Sequence, residues 1–208
     1  MHSLGELIIP RRCAGCGAPG DHLCSRCKRG LASPPYRVSP AVNPLVPVFA
    51  LGPYADPHRA VILAMKEHNN MAVRRHIGAV LSAALQYEEA RGEIPYGATL
   101  VPAPTRPSSA RARGGDHVTA MCRHSGYPTV PVLALREGTA DQAQLSAAAR
   151  RTNIATNLEL EPGFEAALAG PLIVVDDVVT TGATLESSVA TLLAHGGDVA
   201  ACLVLSAA

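Results

Sequence analysis

The run Leu172-Ile173-Val174-Val175-Asp176-Asp177-Val178-Val179-Thr180-Thr181-Gly182-Ala183-Thr184 joins an unbroken apolar segment to a polar loop. Four consecutive bulky aliphatic residues are typical of a strand buried on both faces of a parallel sheet. After the loop, Leu185, Val189, Leu192 and Leu193 recur at helical spacing, and Gly196-Gly197 ends that helix. A further apolar strand is expected over 199–205. Working upstream, a strand is expected over 46–51, and Pro57 opens a helix carrying Val61, Ile62 and Met65. Ile77, Val80, Leu81, Ala84 and Leu85 follow the spacing i, i+3, i+4, i+7, i+8 of an amphipathic helix. Thr99-Leu100-Val101 is a short strand stopped by Pro102 and Pro104, 117–124 reads as helix, and 130–135 as strand. Strands alternating with helices predict an α/β fold with a mostly parallel sheet flanked by helices. In such sheets ligands bind at the carboxyl ends of the strands.

The loop therefore lies where a ligand is expected. Two adjacent carboxylates, Asp176 and Asp177, end the buried strand. They accept hydrogen bonds only, which suits a ribose diol or a divalent cation. Thr180, Thr181, Gly182, Ala183 and Thr184 then run into a helix. Free backbone N–H groups, three threonine hydroxyls and the helix dipole form a cradle for a phosphate dianion, and Gly182 lets the backbone come close. Carboxylates for a diol beside a cradle for a phosphate describe a ribose 5-phosphate site. Helix capping alone needs one such residue, whereas two acids and three threonines cluster here within nine positions. The chain has no G-x-x-x-x-G-K-[ST], so a Walker-type nucleotide site is excluded in its usual form.

The second informative segment is N-terminal. Cys13-Ala14-Gly15-Cys16 and Cys24-Ser25-Arg26-Cys27 are two C-x-x-C knuckles separated by seven residues. Four thiolates in tetrahedral reach of one ion suit Zn²⁺, and a closed sulfur shell makes the site structural. Two disulfides, a redox C-x-x-C, or a remnant without metal are the competing readings. Arg11, Arg12, Arg26, Lys28 and Arg29 face only Glu6 and Asp21 in this segment. Compensation of a tetrathiolate metal site explains that excess better than nucleic-acid contact. Cys122 and Cys202 lie among apolar residues and read as small buried hydrophobes.

Composition bounds the rest. The chain has 208 residues, 48% hydrophobic and 17% charged, with a net charge of +1. A length of this order buries roughly 70% of the surface its unfolded form exposes, so folding needs no disulfide framework. Near-neutrality argues against a general polyanion binder, and five Tyr, two Phe and no Trp argue against single-strand stacking platforms. No apolar run is long enough to span a membrane, and the first twelve residues are too short and polar for a signal peptide, so a cytoplasmic protein is expected. The organisation expected is a zinc-ribbon-like four-cysteine segment over 1–33, a Pro-rich linker over 34–45 and one α/β domain over 46–208.

The thirteen-residue run resembles the phosphoribosyl pyrophosphate (PRPP) signature of type I phosphoribosyltransferases: four apolar, two acidic, two apolar, then Thr-Thr-Gly-x-Thr. Several further motifs complete the likeness: the cysteine knuckles, a Tyr54…Lys66 segment, Val101-Pro102-Ala103-Pro104, Arg111-x-Arg113-Gly114 and Gln142-x-x-Leu145-Ser146-x-x-x-Arg150-x-x-Asn153. With them, nearly the whole chain resembles the ComF/GntX-like family. The resemblance implies a type I phosphoribosyltransferase-like domain with a zinc-ribbon appendage. Asp176 and Asp177 would hold the ribose hydroxyls with Mg²⁺, and Thr180 to Thr184 the 5′-phosphate. Lys66, Thr105, Arg106, Arg111, Arg113 and Arg150 would face pyrophosphate. The reaction implied is transfer of phosphoribosyl from PRPP to an unnamed acceptor, with Mg²⁺ and arginines stabilising the departing charge and no covalent protein nucleophile. The alternative is a non-catalytic accessory of DNA uptake that keeps the PRPP site and binds a partner helicase through its zinc segment. The family's Arg-Gly-Phe-Asn-Gln reads Arg113-Gly114-Gly115-Asp116-His117 here, so an aromatic and two amides are replaced. The position where purine-salvage relatives carry an Asp is Thr180, which makes a purine acceptor deprotonated from that position unlikely.

Overall fold

The computed structural model describes residues 11–67, 70–112, 114–135, 158–161 and 168–208. Their elements in chain order are α1 (Ser25–Leu31), β1 (Tyr36–Val38), β2 (Val48–Ala50), α2 (His58–Lys66), α3 (Met71–Ala90), β3 (Thr99–Pro102), α4 (Pro107–Ala112) and α5 (His117–His124). After these come β4 (Leu133–Leu135), β5 (Leu158–Leu160), β6 (Pro171–Val179), α6 (Ala183–Ala194) and β7 (Asp198–Ala207). Five strands form one sheet in the order β1-β2-β7-β6-β3. The β2–β7, β7–β6 and β6–β3 pairs are parallel, and only the edge strand β1 is antiparallel to its neighbour. The mostly parallel α/β sheet flanked by helices is the architecture expected from the apolar runs.

Strand β6 is central, and its alternation divides the core. Ile173 and Val175 face one side, where they join residues of α2, α3 and α5 such as Met65, Leu81 and Met121. Leu172 and Val174 face the other, with Leu185, Val189 and Leu192 of α6. Successive strand residues point to opposite faces. Continuing that alternation past Val175 places Asp177 on the α2/α3/α5 side and Asp176 on the α6 side.

Two segments depart from the expectation. The Pro-rich stretch over 34–45 is not a free linker, because Tyr36–Val38 pairs with Val48–Ala50 at the sheet edge. An edge strand tolerates the flanking prolines, which cannot donate to a ladder. Downstream of β1, Val42 N–H donates to the Thr181 carbonyl at 2.8 Å, so this segment lies against the Thr180–Gly182 loop. The cysteine segment packs on the main core. Leu23, Leu31, Cys13 and Cys27 are buried in the same core as α2 and α3.

The expected strand over 130–135 divides in two. Thr129 bridges to Leu100 beside β3, and Val130 N–H donates to the Leu100 carbonyl. The next ladder bond would run from position 102 of β3 to the Val130 carbonyl, but Pro102 has no N–H, and Val132 N–H turns back to the Val130 carbonyl at 3.0 Å as the chain leaves the sheet. Leu133–Leu135 then pairs antiparallel with Leu158–Leu160 over the α6-side core.

Candidate functional site

The carboxyl ends of β3 and β6 open into a cleft of about 290 Å³. Asp176 and Asp177 line it from β6, Thr105 and Arg106 from the segment after β3, and Ser109 from α4. Lys66 at the last turn of α2, His117 at the first turn of α5 and Thr184 of α6 complete its polar wall. A smaller adjoining hollow of about 30 Å³ is lined by Thr180, Thr181, Gly182, Ala183 and Thr184. The segment after β3 is fixed to β6 by Ala103 N–H donating to the Val175 carbonyl at 2.7 Å. The loop thus stands at the strand ends, where a parallel sheet places its ligands.

Gly182 explains the loop's shape. Its φ is 90°, a left-handed conformation that L side chains rarely adopt. A Cβ there would meet the Val42 carbonyl oxygen at 2.5 Å and the Pro40 ring at 2.8 Å. Gly182 is also the N-cap of α6, with no side-chain capping bond. The Thr181 hydroxyl accepts from Ala183 N–H only at 3.4 Å. The dipole end of a twelve-residue helix is thus aimed at the hollow without a strong cap of its own.

The two acids have different environments. Lys66 Nζ donates to Asp177 Oδ1 at 2.8 Å, and His117 Nε2 donates to Asp177 Oδ2. Burial raises the Asp177 pKa, but the His117 bond and the Lys66 ammonium outweigh it and hold the group below the usual carboxylate range. Asp176 has no such side-chain partners among the described residues. Burial first, and the Asp177 charge second, push it up to about 8, although its Oδ1 accepts the Asp177 N–H at 2.8 Å.

His117 was not singled out by sequence. It is held in place by Asp116, the N-cap of α5, which accepts from Val118 N–H at 2.9 Å and from the hydroxyls of Thr119 at 2.8 Å and Thr105 at 3.1 Å. The available signal was its position in the altered Arg113-to-His117 run, where both amides of the family pattern are replaced. Of the residues expected at the pyrophosphate side, the structure brings Lys66, Thr105 and Arg106 to the cleft, with Lys66 bonded to Asp177. Arg111 is exposed on α4 and does not line the cleft. Arg113 and Arg150, with the rest of the Gln142-to-Asn153 motif, lie outside the described residues.

Mg²⁺, implied by the resemblance, does not fit the donor set of the cleft well. Both Asp177 oxygens already hold a donor, and burial beside the Asp177 charge disfavours the ionised form of Asp176. Among the described residues, only the four cysteines form a group of three or more acid, His or Cys side chains close enough to share an ion.

That group fits a metal. The Cys13, Cys16, Cys24 and Cys27 sulfurs all lie within 4.8 Å of one another, and Cys16 and Cys24 are 3.7 Å apart. Zn–S bonds of about 2.3 Å at tetrahedral angles give an S···S edge of about 3.8 Å. All four are free thiols, so neither disulfide pairing is formed. The Ala18 N–H, then Cys13, draws Cys16 down to about 6, and Arg26 beside it is the local counter-charge. The cluster can hold a structural zinc ion. Cys122 and Cys202 are fully buried and burial raises both thiols, which agrees with their reading as hydrophobes.

No helix among the described residues is long and apolar enough to cross a membrane. No protein-family model matches the chain. The chain is 28% identical over 194 residues to the DNA utilization protein YhgH of Escherichia coli strain K12, covering 88% of this chain and 78% of that protein. The proteins of the same name from Escherichia coli O157:H7 and Shigella flexneri are each 27% identical over the same shares. The likeness thus takes in most of both chains.

Proposed function

We propose that this chain is a ComF-like protein whose cleft binds PRPP and transfers its phosphoribosyl group to an acceptor, releasing pyrophosphate. The observation that carries this reading is the pair of adjoining cavities, sharing Asp176 and Thr184, that sets a threonine-lined helix N-terminus beside an acidic pair and Arg106. The 5′-phosphate would take the N–H groups and hydroxyls of Thr180 to Thr184. The ribose hydroxyls would donate to Asp177, whose oxygens each accept more than one bond, and to Asp176. Arg106 and Thr105 would face the pyrophosphate, since a guanidinium meets phosphate oxygens in bidentate fashion.

In the reaction the bond from the ribosyl carbon to pyrophosphate breaks and a bond to the acceptor forms, and the acceptor's proton passes to the departing pyrophosphate. Positive charge develops on the ribose and negative charge on the leaving group. The ionised Asp177 favours the first and Arg106 the second. Calorimetry tests the site: Asp177→Asn should weaken PRPP at least about tenfold, and unchanged affinity would show the ribose is elsewhere. A screen for pyrophosphate release across nucleobases, amines and ammonia identifies the acceptor.

A second reading is favoured by the name of the relatives. It makes the chain a non-catalytic accessory in DNA utilization that keeps the PRPP site and meets a helicase partner through the cysteine segment. Retained PRPP binding without pyrophosphate release for any acceptor selects it.

A further inference from the structure

We propose that Lys66 and His117 are built-in counter-groups of the sugar-side carboxylate, so that the cleft takes a ribose phosphate without a divalent cation. This rests on the ribose phosphate reading above and adds a property of it. Lys66 Nζ lies 2.8 Å from Asp177 Oδ1, and the His117 ring donates to Oδ2. The two partners come from different helices, α2 and α5, so both sides of the carboxylate are held by the chain itself.

Both are placed firmly. The His117 side chain is 2% exposed, and Asp116 locks the start of α5 with three hydrogen bonds. Asp177 itself is 7% exposed, which strengthens its attraction to the ammonium. A carboxylate oxygen accepts about two hydrogen bonds. With one place on each oxygen filled, one remains on each, two in all, and a sugar diol offers two hydroxyl donors. A dication would instead stand beside the Lys66 ammonium and compete with it for the same oxygen. Asp176 offers little in compensation, because it stands beside the Asp177 charge and its Oδ1 already accepts the Asp177 N–H.

The test uses the full, zinc-loaded chain and ribose 5-phosphate, which lacks the pyrophosphate that chelates Mg²⁺ by itself. Calorimetric titrations are run in buffer cleared of divalent ions by chelating resin, which spares the cysteine site, and again in millimolar MgCl₂. The expected result is binding in both, with Kd values agreeing within about threefold. Binding that needs MgCl₂, or tightens more than about threefold in it, overturns the inference and leaves the ribose phosphate site standing. No binding in either buffer overturns both. Lys66→Met should weaken metal-free binding about tenfold, and MgCl₂ should restore part of the loss. Lys66→Arg, which keeps the charge, should retain metal-free binding. Electron paramagnetic resonance of added Mn²⁺ gives a readout independent of the sugar. Wild type should leave Mn²⁺ free, and one bound Mn²⁺ that Asp177→Asn abolishes would overturn the inference.

Discussion

Gly182→Ala tests whether the segment after β1 packs on the Thr180–Gly182 loop. An alanine at a φ of 90° costs about 1–2 kcal/mol from left-handed backbone strain alone. Its Cβ would also stand 2.5 Å from the Val42 carbonyl oxygen and 2.8 and 3.0 Å from two Pro40 ring carbons. Neither neighbour is the loose end of a flexible side chain. The 40–42 segment must retreat by about 1 Å, stretching the Val42 N–H to Thr181 carbonyl bond of 2.8 Å. Overpacking of this kind costs about 1–3 kcal/mol, so the total is about 2–4 kcal/mol. Gly92→Ala is the control, because its φ of 72° is also left-handed but nothing lies within 4 Å of its Cβ position. It should show the backbone strain alone. Urea unfolding followed by circular dichroism gives both values from midpoints at constant slope. The expected result is that Gly182→Ala is less stable than Gly92→Ala by at least about 1 kcal/mol and binds ribose 5-phosphate more weakly. Equal destabilisation, within about 0.5 kcal/mol, would refute the packing of 40–42 on the loop.

Asp176→Asn should flatten the pH dependence of stability. The folded acid is raised from 3.8 to about 8, so the folded state binds the extra proton and stability falls as pH rises between those values. The slope is at most about 1.4 kcal/mol per pH unit, and partial exposure of Asp176 reduces it. Between about pH 6 and pH 8 the variant should gain about 1–2 kcal/mol on wild type in urea titrations, and parallel curves would count against the raised acid. Asp177 acts in the opposite sense: its lowered pKa gives stability above the ordinary 3.8 that is lost as pH falls through its folded value, so the two windows separate. Elemental analysis of reduced protein purified without chelator should find one zinc per chain. Removing it should cost about 3 kcal/mol, or about 6–12 °C in Tm, because Leu23 and Leu31 are held in the main core. Folded protein without zinc would remove the metal reading. Cys122 and Cys202 should resist a thiol reagent until the chain unfolds, since both are fully buried.

What was legible in the sequence is local. Leu172 to Val175 could only be a buried strand, and the helix after Gly182 follows from leucine and valine spacing. The position of the loop at the strand end follows from those two facts. The cysteine cluster was legible for the same reason, because four ligands within fifteen residues are brought together by two tight turns.

The missing features are contacts between distant residues. Lys66 and Asp177 are 111 positions apart, and His117 and Asp177 are 60. Nothing in a linear pattern reports that a lysine expected to meet an anion is bonded to an acid. His117 looked like a lost amide until α5 placed it on Asp177. Pro34 to Pro44 read as a spacer because prolines break ladders, yet an edge strand needs only half of its donors. The strand expected over 130–135 parts from the main sheet after Val130, where Pro102 of β3 has no N–H to offer, and 133–135 pairs in a separate hairpin.

An amide NMR titration of the ¹⁵N-labelled chain with ribose 5-phosphate locates the phosphate and the sugar together. The largest shifts should fall on Thr181, Gly182, Ala183 and Thr184, with smaller ones on Asp177 and His117, whose side chains meet in the larger cleft. No shifts, or shifts confined to the separate hollow lined by Arg37, Ser39 and Asn43, would contradict a phosphoribosyl site at the end of β6.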